Sequence, residues 1–188
     1  MDGLRDAPLK DLTKKMKHIY HKMNTTQVME FAKRLLDIPY IWWTGNETEE
    51  DDMFYCNSIP SIDTMKTRGI NCAGFINLLM LYSGKTIPIS EDPDIPRGGT
   101  GFWFIEFTKQ NVLHEKEHSK IYPIGTLLFR SYKNINDQGH FSVVIGENKI
   151  IHAYADDDLG KVGITDMVNS CAPLDYYEYI VYPNDWLN

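Results

Sequence analysis

The sequence has few cysteines and no long apolar run. Its 188 residues include three cysteines, an odd number whose spacing fits neither a zinc knuckle nor a disulfide framework, so we expect at least one free thiol. No segment approaches the ~20 consecutive apolar residues of a transmembrane helix, and the N-terminus lacks the pattern of a signal peptide. We therefore expect no membrane span, and either a cytoplasmic location or export by a non-classical or host-dependent route.

Positive charge is also scarce. The formal net charge of −7 argues against binding to a nucleic acid backbone. A hydrophobic content of 43% is enough for one sizeable core. We predict a monomer with a single globular domain over residues 24–188. A lysine-containing helical extension is predicted at residues 1–23, for which an arm that binds an anionic surface is the alternative.

The periodicity of apolar residues changes along the chain. Helical spacing follows the N-cap residue types at 24–26 and continues to Ile38, where Pro39 ends the helix. Residues 72–82 form a second apolar helical pattern, and the proline- and glycine-containing residues 86–101 are predicted to be a loop. Four β-branched or aromatic runs then predict strands at residues 125–130, 141–145, 149–154 and 179–182. Helices followed by an antiparallel sheet predict an α+β domain.

Cys72 is the candidate nucleophile because it begins the second predicted helix. A thiol has a resting pKa of ~8.5, and the positive end of a helix or a nearby imidazole can lower it. The backbone N–H groups at the same helix end could stabilise an oxyanion. The alternative is a small buried apolar residue, and this is our interpretation of Cys56 and Cys171, since neither begins an apolar helix.

Two histidines on neighbouring predicted strands can complete a nucleophile, base and orienter arrangement. His140 opens one strand and His152 lies within the next. A strict two-residue turn at residues 147–148 would place them on opposite faces of the hairpin, so the arrangement requires a bulge or a looser turn. A weaker alternative is that Cys72 and both histidines bind zinc.

Six segments of the chain, in order, resemble the NlpC-type cysteine peptidases. They are IPYIWWTG at residues 38–45, NCAGFI at 71–76, IPRGGT at 95–100, PIGTLLF at 123–129, GHFSVVIG at 139–146 and IIHA at 150–153. The family counterparts are Pro-Tyr-x-Trp-Gly-Gly, Asp-Cys-Ser-Gly-Phe-Val, Leu-Pro-Arg-Thr, Pro-Gly-Asp-Leu-Val-Phe, His-Val-Gly-Ile-Tyr-Ile-Gly and Val-His-Ala. The resemblance runs from about residue 26 to residue 155.

The resemblance implies a papain-like fold in which N-terminal helices, one of them carrying the nucleophile, pack on an antiparallel sheet. It implies a cysteine peptidase or amidase that hydrolyses an amide through a thioester, without a metal or cofactor, in a peptide or peptidoglycan fragment at a γ-D-glutamyl link. The implied site residues are catalytic Cys72, His140 and His152, and Tyr40, Asn71, Trp42 and Arg97 for substrate or oxyanion binding.

One departure from the family motif concerns the residue before the nucleophile. Asn71 replaces an aspartate, and an amide cannot form an ion pair with a substrate ammonium group. The carboxylates at 156–158 could supply that charge instead. The order Cys72 before His140 favours a peptidase or amidase over the permuted lipid acyltransferases. Two alternatives remain open: an acyl- or amide-transferase that uses the same Cys-His site, and a peptide-binding module without turnover.

Overall fold

The computed structural model describes residues 24–47, 52–117, 121–155, 160–168 and 172–187. The described helices are α1 (Thr25–Arg34), α2 (Ile62–Arg68), α3 (Cys72–Tyr82), α4 (Thr100–Lys109), a short 3-10 helix (Leu174–Tyr176) and α5 (Pro183–Trp186). The described strands are β1 (His114–Glu115), β2 (Leu127–Arg130), β3 (His140–Gly146), β4 (Lys149–Tyr154), β5 (Lys161–Asp166) and β6 (Tyr179–Val181). None of these helices has the length and apolarity to cross a membrane.

The strands form one sheet in the order β1-β6-β2-β3-β4-β5, and each neighbouring pair is antiparallel. The helices pack on one face, where Phe75 and Leu79 of α3 belong to the same core as Phe129 and Phe141 of the sheet. A second, smaller core covers the opposite face around Val144. The predicted α+β class, with a nucleophile-bearing helix on an antiparallel sheet, is confirmed.

Helix α1 begins as the sequence predicts but ends earlier. Asn24 and Gln27 form a capping box, since each side chain accepts a hydrogen bond at 3.0 Å from the other residue's backbone N–H. The helix ends at Arg34 instead of continuing to Ile38. The backbone of residues 37 and 38 instead bonds Val162 of β5, with N···O distances of 2.9 and 2.8 Å. Pro39 favours this extended course because it disfavours helical geometry in the residue before it.

The sequence did not predict several elements. Residues 100 and 101 were assigned to a loop, whereas helix α4 starts at Thr100. Phe102, Trp103 and Phe107 of this helix are buried, and burial of these rings stabilises a helix that the preceding glycines obscure in the sequence pattern. Helices α2 and α5 and strands β1 and β5 were also missed. The predicted extension at 1–23, the acidic residues 156–158 and Cys171 lie outside the described residues.

Candidate active site

Cys72 is the first residue of α3, as predicted, and Asn71 is the helix N-cap. The Asn71 Oδ1 atom accepts a hydrogen bond from Gly74 N at 2.7 Å, and its Nδ2 atom donates to Met53 O at 3.4 Å. Both polar atoms of the Asn71 side-chain amide are therefore hydrogen-bonded, and this cap fixes the start of the helix at the residue that carries the sulfur. A contact between Asn71 and substrate stays a prediction.

Tyr40 is held next to Cys72 by backbone pairing. Residue 40 forms a parallel bridge with Ile70, and Ile70 N donates to Pro39 O at 2.8 Å. This pairing ties the aromatic segment after α1 to the residues that precede the nucleophile. Burial raises the pKa of Tyr40, and the interaction of its hydroxyl with the Cys72 sulfur raises it further. The phenol is therefore a hydrogen-bond donor at neutral pH.

Burial dominates the ionisation of the nucleophile. Cys72 is only 6% exposed, and its burial raises the thiol pKa to about 11. The backbone N–H groups of Phe141, Ala73 and Cys72 and the Tyr40 hydroxyl act in the opposite direction. The N–H groups at the helix end therefore lower this pKa, as expected, but desolvation of the thiolate outweighs them and the net shift in the free site is upward.

A bulge brings the two histidines to the same face of the sheet. Glu147 and Asn148 form a two-residue turn with φ of 52° and 57°, and the β3–β4 register shifts between Val144 and Gly146. Beyond this shift, Val143 lies opposite Ile151. That register places Ser142 opposite His152, and residues 140 and 142 share one face of the strand. Placing both histidines on one face requires a bulge or a looser turn, and the structure contains the bulge.

His140 and His152 form a direct hydrogen bond. The His140 Nε2 atom lies 2.9 Å from His152 Nδ1, and His152 Nε2 lies 2.9 Å from Thr165 Oγ1 of β5. These contacts engage Nε2 of His140 and both ring nitrogens of His152. The Phe141 N–H that faces the sulfur belongs to the residue next to His140. Sequence reasoning missed Thr165 because β5 itself was not predicted.

Both imidazoles are neutral at neutral pH. Burial lowers the pKa of His140 well below its usual value, with further contributions from His152 and Arg130, and burial lowers the pKa of His152 to about 4. The Arg130 guanidinium forms an ion pair with Asp137 and lies 4.7 Å from the ring centre of Tyr176. The free site therefore contains a neutral thiol and two neutral imidazoles, not a preformed ion pair.

The two histidines do not have the geometry of zinc ligands. Their facing nitrogen atoms share a hydrogen bond at 2.9 Å, a distance that leaves no space for an ion between them. In the described part of the chain, no group of three or more histidine, cysteine or acidic residues is arranged to hold a metal. The geometry instead suits proton transfer along the pair.

Cys72 lines a cavity of about 380 Å³, so the buried sulfur borders an open cleft. Tyr40, Trp43 and Asn71 also line this cavity. Trp42 does not line it, and its side chain is 57% exposed. Trp43 is the member of the tryptophan pair that lines this cavity, and a contact between Trp42 and substrate stays a prediction.

Arg97 lies at a second cavity of about 790 Å³, outside the wall of the first. Its guanidinium donates to Ile87 O at 2.5 Å, Pro88 O at 2.8 Å and Asn57 Oδ1 at 2.8 Å. These contacts hold two loops together. The structure therefore does not bring Arg97 to the cavity of Cys72, and its predicted contact with substrate remains untested.

Comparison with known proteins supports the fold. No protein-family model matches the sequence, and no curated protein matches it. Among solved structures, an NlpC/P60 family protein from Bacillus cereus is similar over 89% of this chain with a TM-score of 0.52 and 18% sequence identity. This chain has the NlpC/P60 fold. The likeness concerns the fold, and this chain covers 41% of the length of the Bacillus cereus protein.

Two further solved structures are similar to this chain. The P60 domain of an antigen from M. avium subspecies paratuberculosis has 17% identity and a TM-score of 0.49, with 85% of this chain and 93% of that one covered. The peptidoglycan hydrolase RipB from Mycobacterium tuberculosis has 15% identity and a TM-score of 0.49, with 94% of this chain and 68% of that one covered.

Proposed function

We propose that this chain is a cysteine amidase or peptidase that cleaves an amide through a thioester. The observation that carries the proposal is the hydrogen bond between His140 and His152, on a strand whose Phe141 N–H faces a helix-initiating cysteine that borders a cleft. A base whose second nitrogen is held by an orienting group is the arrangement that nucleophilic amide cleavage requires.

The proposed reaction has two halves. Cys72 Sγ attacks the amide carbonyl while His140 Nδ1 accepts the thiol proton, and His140 then donates that proton to the departing amine. Water next attacks the thioester with His140 as base, which releases the carboxylic acid and restores the thiol. The backbone N–H of Cys72 and the Tyr40 hydroxyl are the proposed donors to the oxyanion.

His152 has the role of a positioning residue in this proposal. For His140 to accept the thiol proton at Nδ1, its own proton must be on Nε2, where it donates to His152 Nδ1. His152 must then carry its proton on Nε2 and donate to Thr165 Oγ1. The imidazolium formed during the reaction is stabilised by a neutral acceptor, not by a carboxylate.

The proposed substrate class is a cell-wall-type peptide, and the proposed scissile bond is a γ-D-glutamyl link. The sequence resemblance to NlpC-type peptidases supports this choice. Because the described wall of the Cys72 cavity includes no basic residue, an acidic wall peptide would have to place its carboxylates towards solvent.

The test is incubation of the protein with muropeptides, including a γ-D-glutamyl-diaminopimelate peptide, followed by mass spectrometry. We expect new amine and carboxyl termini with the wild-type chain and none with Cys72→Ala. Cys56→Ala is the matched control, since Cys56 is also a buried cysteine but lines the other cavity. An added acceptor amine separates hydrolysis from transfer, because a transferase would give the new amide.

Turnover that survives in Cys72→Ala would contradict the proposed nucleophile. Failure of the wild-type chain to cleave any muropeptide or simple amide, with Cys72 intact and the protein folded, would contradict the amidase activity itself.

A further inference from the structure

The wall of the cavity beside Cys72 is mostly apolar. Its side chains include Trp43, Phe54, Ile95, Phe104 and Ile105. A volume of about 380 Å³ is at the small end of the range for pockets that bind small organic molecules. The cavity can therefore enclose one substituent of a substrate.

The polar groups in this wall are largely engaged with the protein. Asn71 caps α3, the Thr100 hydroxyl contacts Gln138 O, and Gln138 Nε2 donates to Trp43 O at 2.8 Å and Ile135 O at 3.0 Å. Among the described wall residues, Asp94 is the one with a charged side chain, and it is exposed at the rim. A charged substituent inside the cavity would therefore lose its hydration without gaining a partner of opposite charge.

We infer that the part of the substrate that lies beside the Cys72 sulfur is a neutral, apolar substituent, an aliphatic chain or an apolar side chain. The inference rests on the proposed role of Cys72 as nucleophile, and it specifies what the cleft selects. A γ-D-glutamyl substrate satisfies it only if its free carboxylates point away from the cavity.

Alkylation of Cys72 tests this preference without requiring turnover. The reagents are N-methyl, N-butyl and N-hexyl iodoacetamide, with N-(3-carboxypropyl) and N-(3-ammoniopropyl) iodoacetamide as charged counterparts. Peptide mass spectrometry gives the alkylation rate of Cys72 separately from those of the other cysteines, and each rate is divided by the rate of the same reagent with glutathione. The variant for these measurements is Cys56→Ala, whose Cys72 site is intact.

We expect the normalised rate to rise about fourfold for each buried methylene until the cavity is filled, the factor that corresponds to ~0.8 kcal/mol. Both charged reagents should react no faster than the N-methyl compound. Ile105→Asp should remove the dependence on chain length. Ile59→Asp, at a partly exposed isoleucine outside both cavities, is the control and should retain it.

A rate that does not change with chain length, or that is highest for a charged reagent, would overturn the inference. The series measured on Cys56→Ala alone decides this, so the conclusion does not depend on the folding of Ile105→Asp. The amidase proposal is judged separately by muropeptide cleavage. Cleavage that depends on Cys72, together with a flat alkylation series, would reject the apolar preference and leave the proposed reaction intact.

Discussion

The proposed base His140 matters for Cys72 because burial raises the pKa of this thiol to about 11. We expect His140→Ala to lower the alkylation rate of Cys72 by iodoacetamide at pH 7 by about 100-fold, at the lower end of the usual effect of a general base. The remaining rate should increase tenfold per pH unit up to about pH 10, because the thiol must then ionise by itself.

The control for this measurement is His114→Ala, on exposed strand β1, which should react like the wild-type chain. If His140→Ala and the wild-type chain gave superimposable pH profiles, His140 would not be the base for this thiol.

Thr165 is the last residue in the chain of contacts that begins at His140. Its hydroxyl lies 2.9 Å from His152 Nε2, and an unpaired buried nitrogen costs about 1–3 kcal/mol. We expect Thr165→Val to slow alkylation of Cys72 at pH 7 about tenfold, since His152 loses the partner that selects its tautomer. Thr165→Ser keeps the hydroxyl and should remain within about twofold of the wild-type rate. Equal rates for the valine and serine variants would show that the contact is only structural.

At the level of elements, the sequence predicted the nucleophile helix and the hairpin because their signals are local. Asn71 caps a continuous apolar run, and β3 and β4 are separated by a turn with two residues of positive φ. The bulge could be required but not located, because its position depends on which residues of β3 and β4 pair. Strand β5 and Thr165 were missed for a related reason: Val162 and Ile164, with a glycine between them, form too short an apolar pattern to predict a strand.

A single glycine sets the entry of β3 into the site. Gly139 has φ of 73°, and a Cβ atom there would lie 2.4 Å from Arg130 O. We expect Gly139→Ala to displace His140 and to lower both the free energy of unfolding and the alkylation rate of Cys72. Gly84→Ala is the matched control, since Gly84 has φ of 90° but nothing within 4 Å of the added atom. The free energy of unfolding of Gly84→Ala should fall by only about 1–2 kcal/mol, the cost of a left-handed backbone at a residue other than glycine. Its Cys72 should be alkylated at the wild-type rate. Equal losses of stability and equal reactivity in the two variants would show that the close approach at Gly139 does not hold His140 in place.

For the whole molecule, burial of two neutral histidines links folding to pH. In the unfolded chain a histidine titrates near pH 6.5, whereas burial lowers the pKa of His152 to about 4 and also lowers that of His140. Between these values the unfolded state binds more protons, so the free energy of unfolding must fall as the pH drops below 6.5. Above pH 7.5 both states are neutral at these positions, and this contribution no longer changes.

Urea denaturation at pH 7.5 and pH 5 measures this linkage. His152 alone should account for a loss of about 2 kcal/mol between these two pH values, since 1.5 pH units below 6.5 each cost ~1.4 kcal/mol. Glutamine cannot be protonated, so the free energy of unfolding of His152→Gln should fall by about 2 kcal/mol less than that of the wild-type chain between pH 7.5 and pH 5. The free energy of unfolding of this variant at pH 7.5 is also expected to be lower than that of the wild-type chain. His114→Gln should lose as much as the wild-type chain. Identical losses for all three proteins would mean that burial does not lower the pKa of His152 in the folded state.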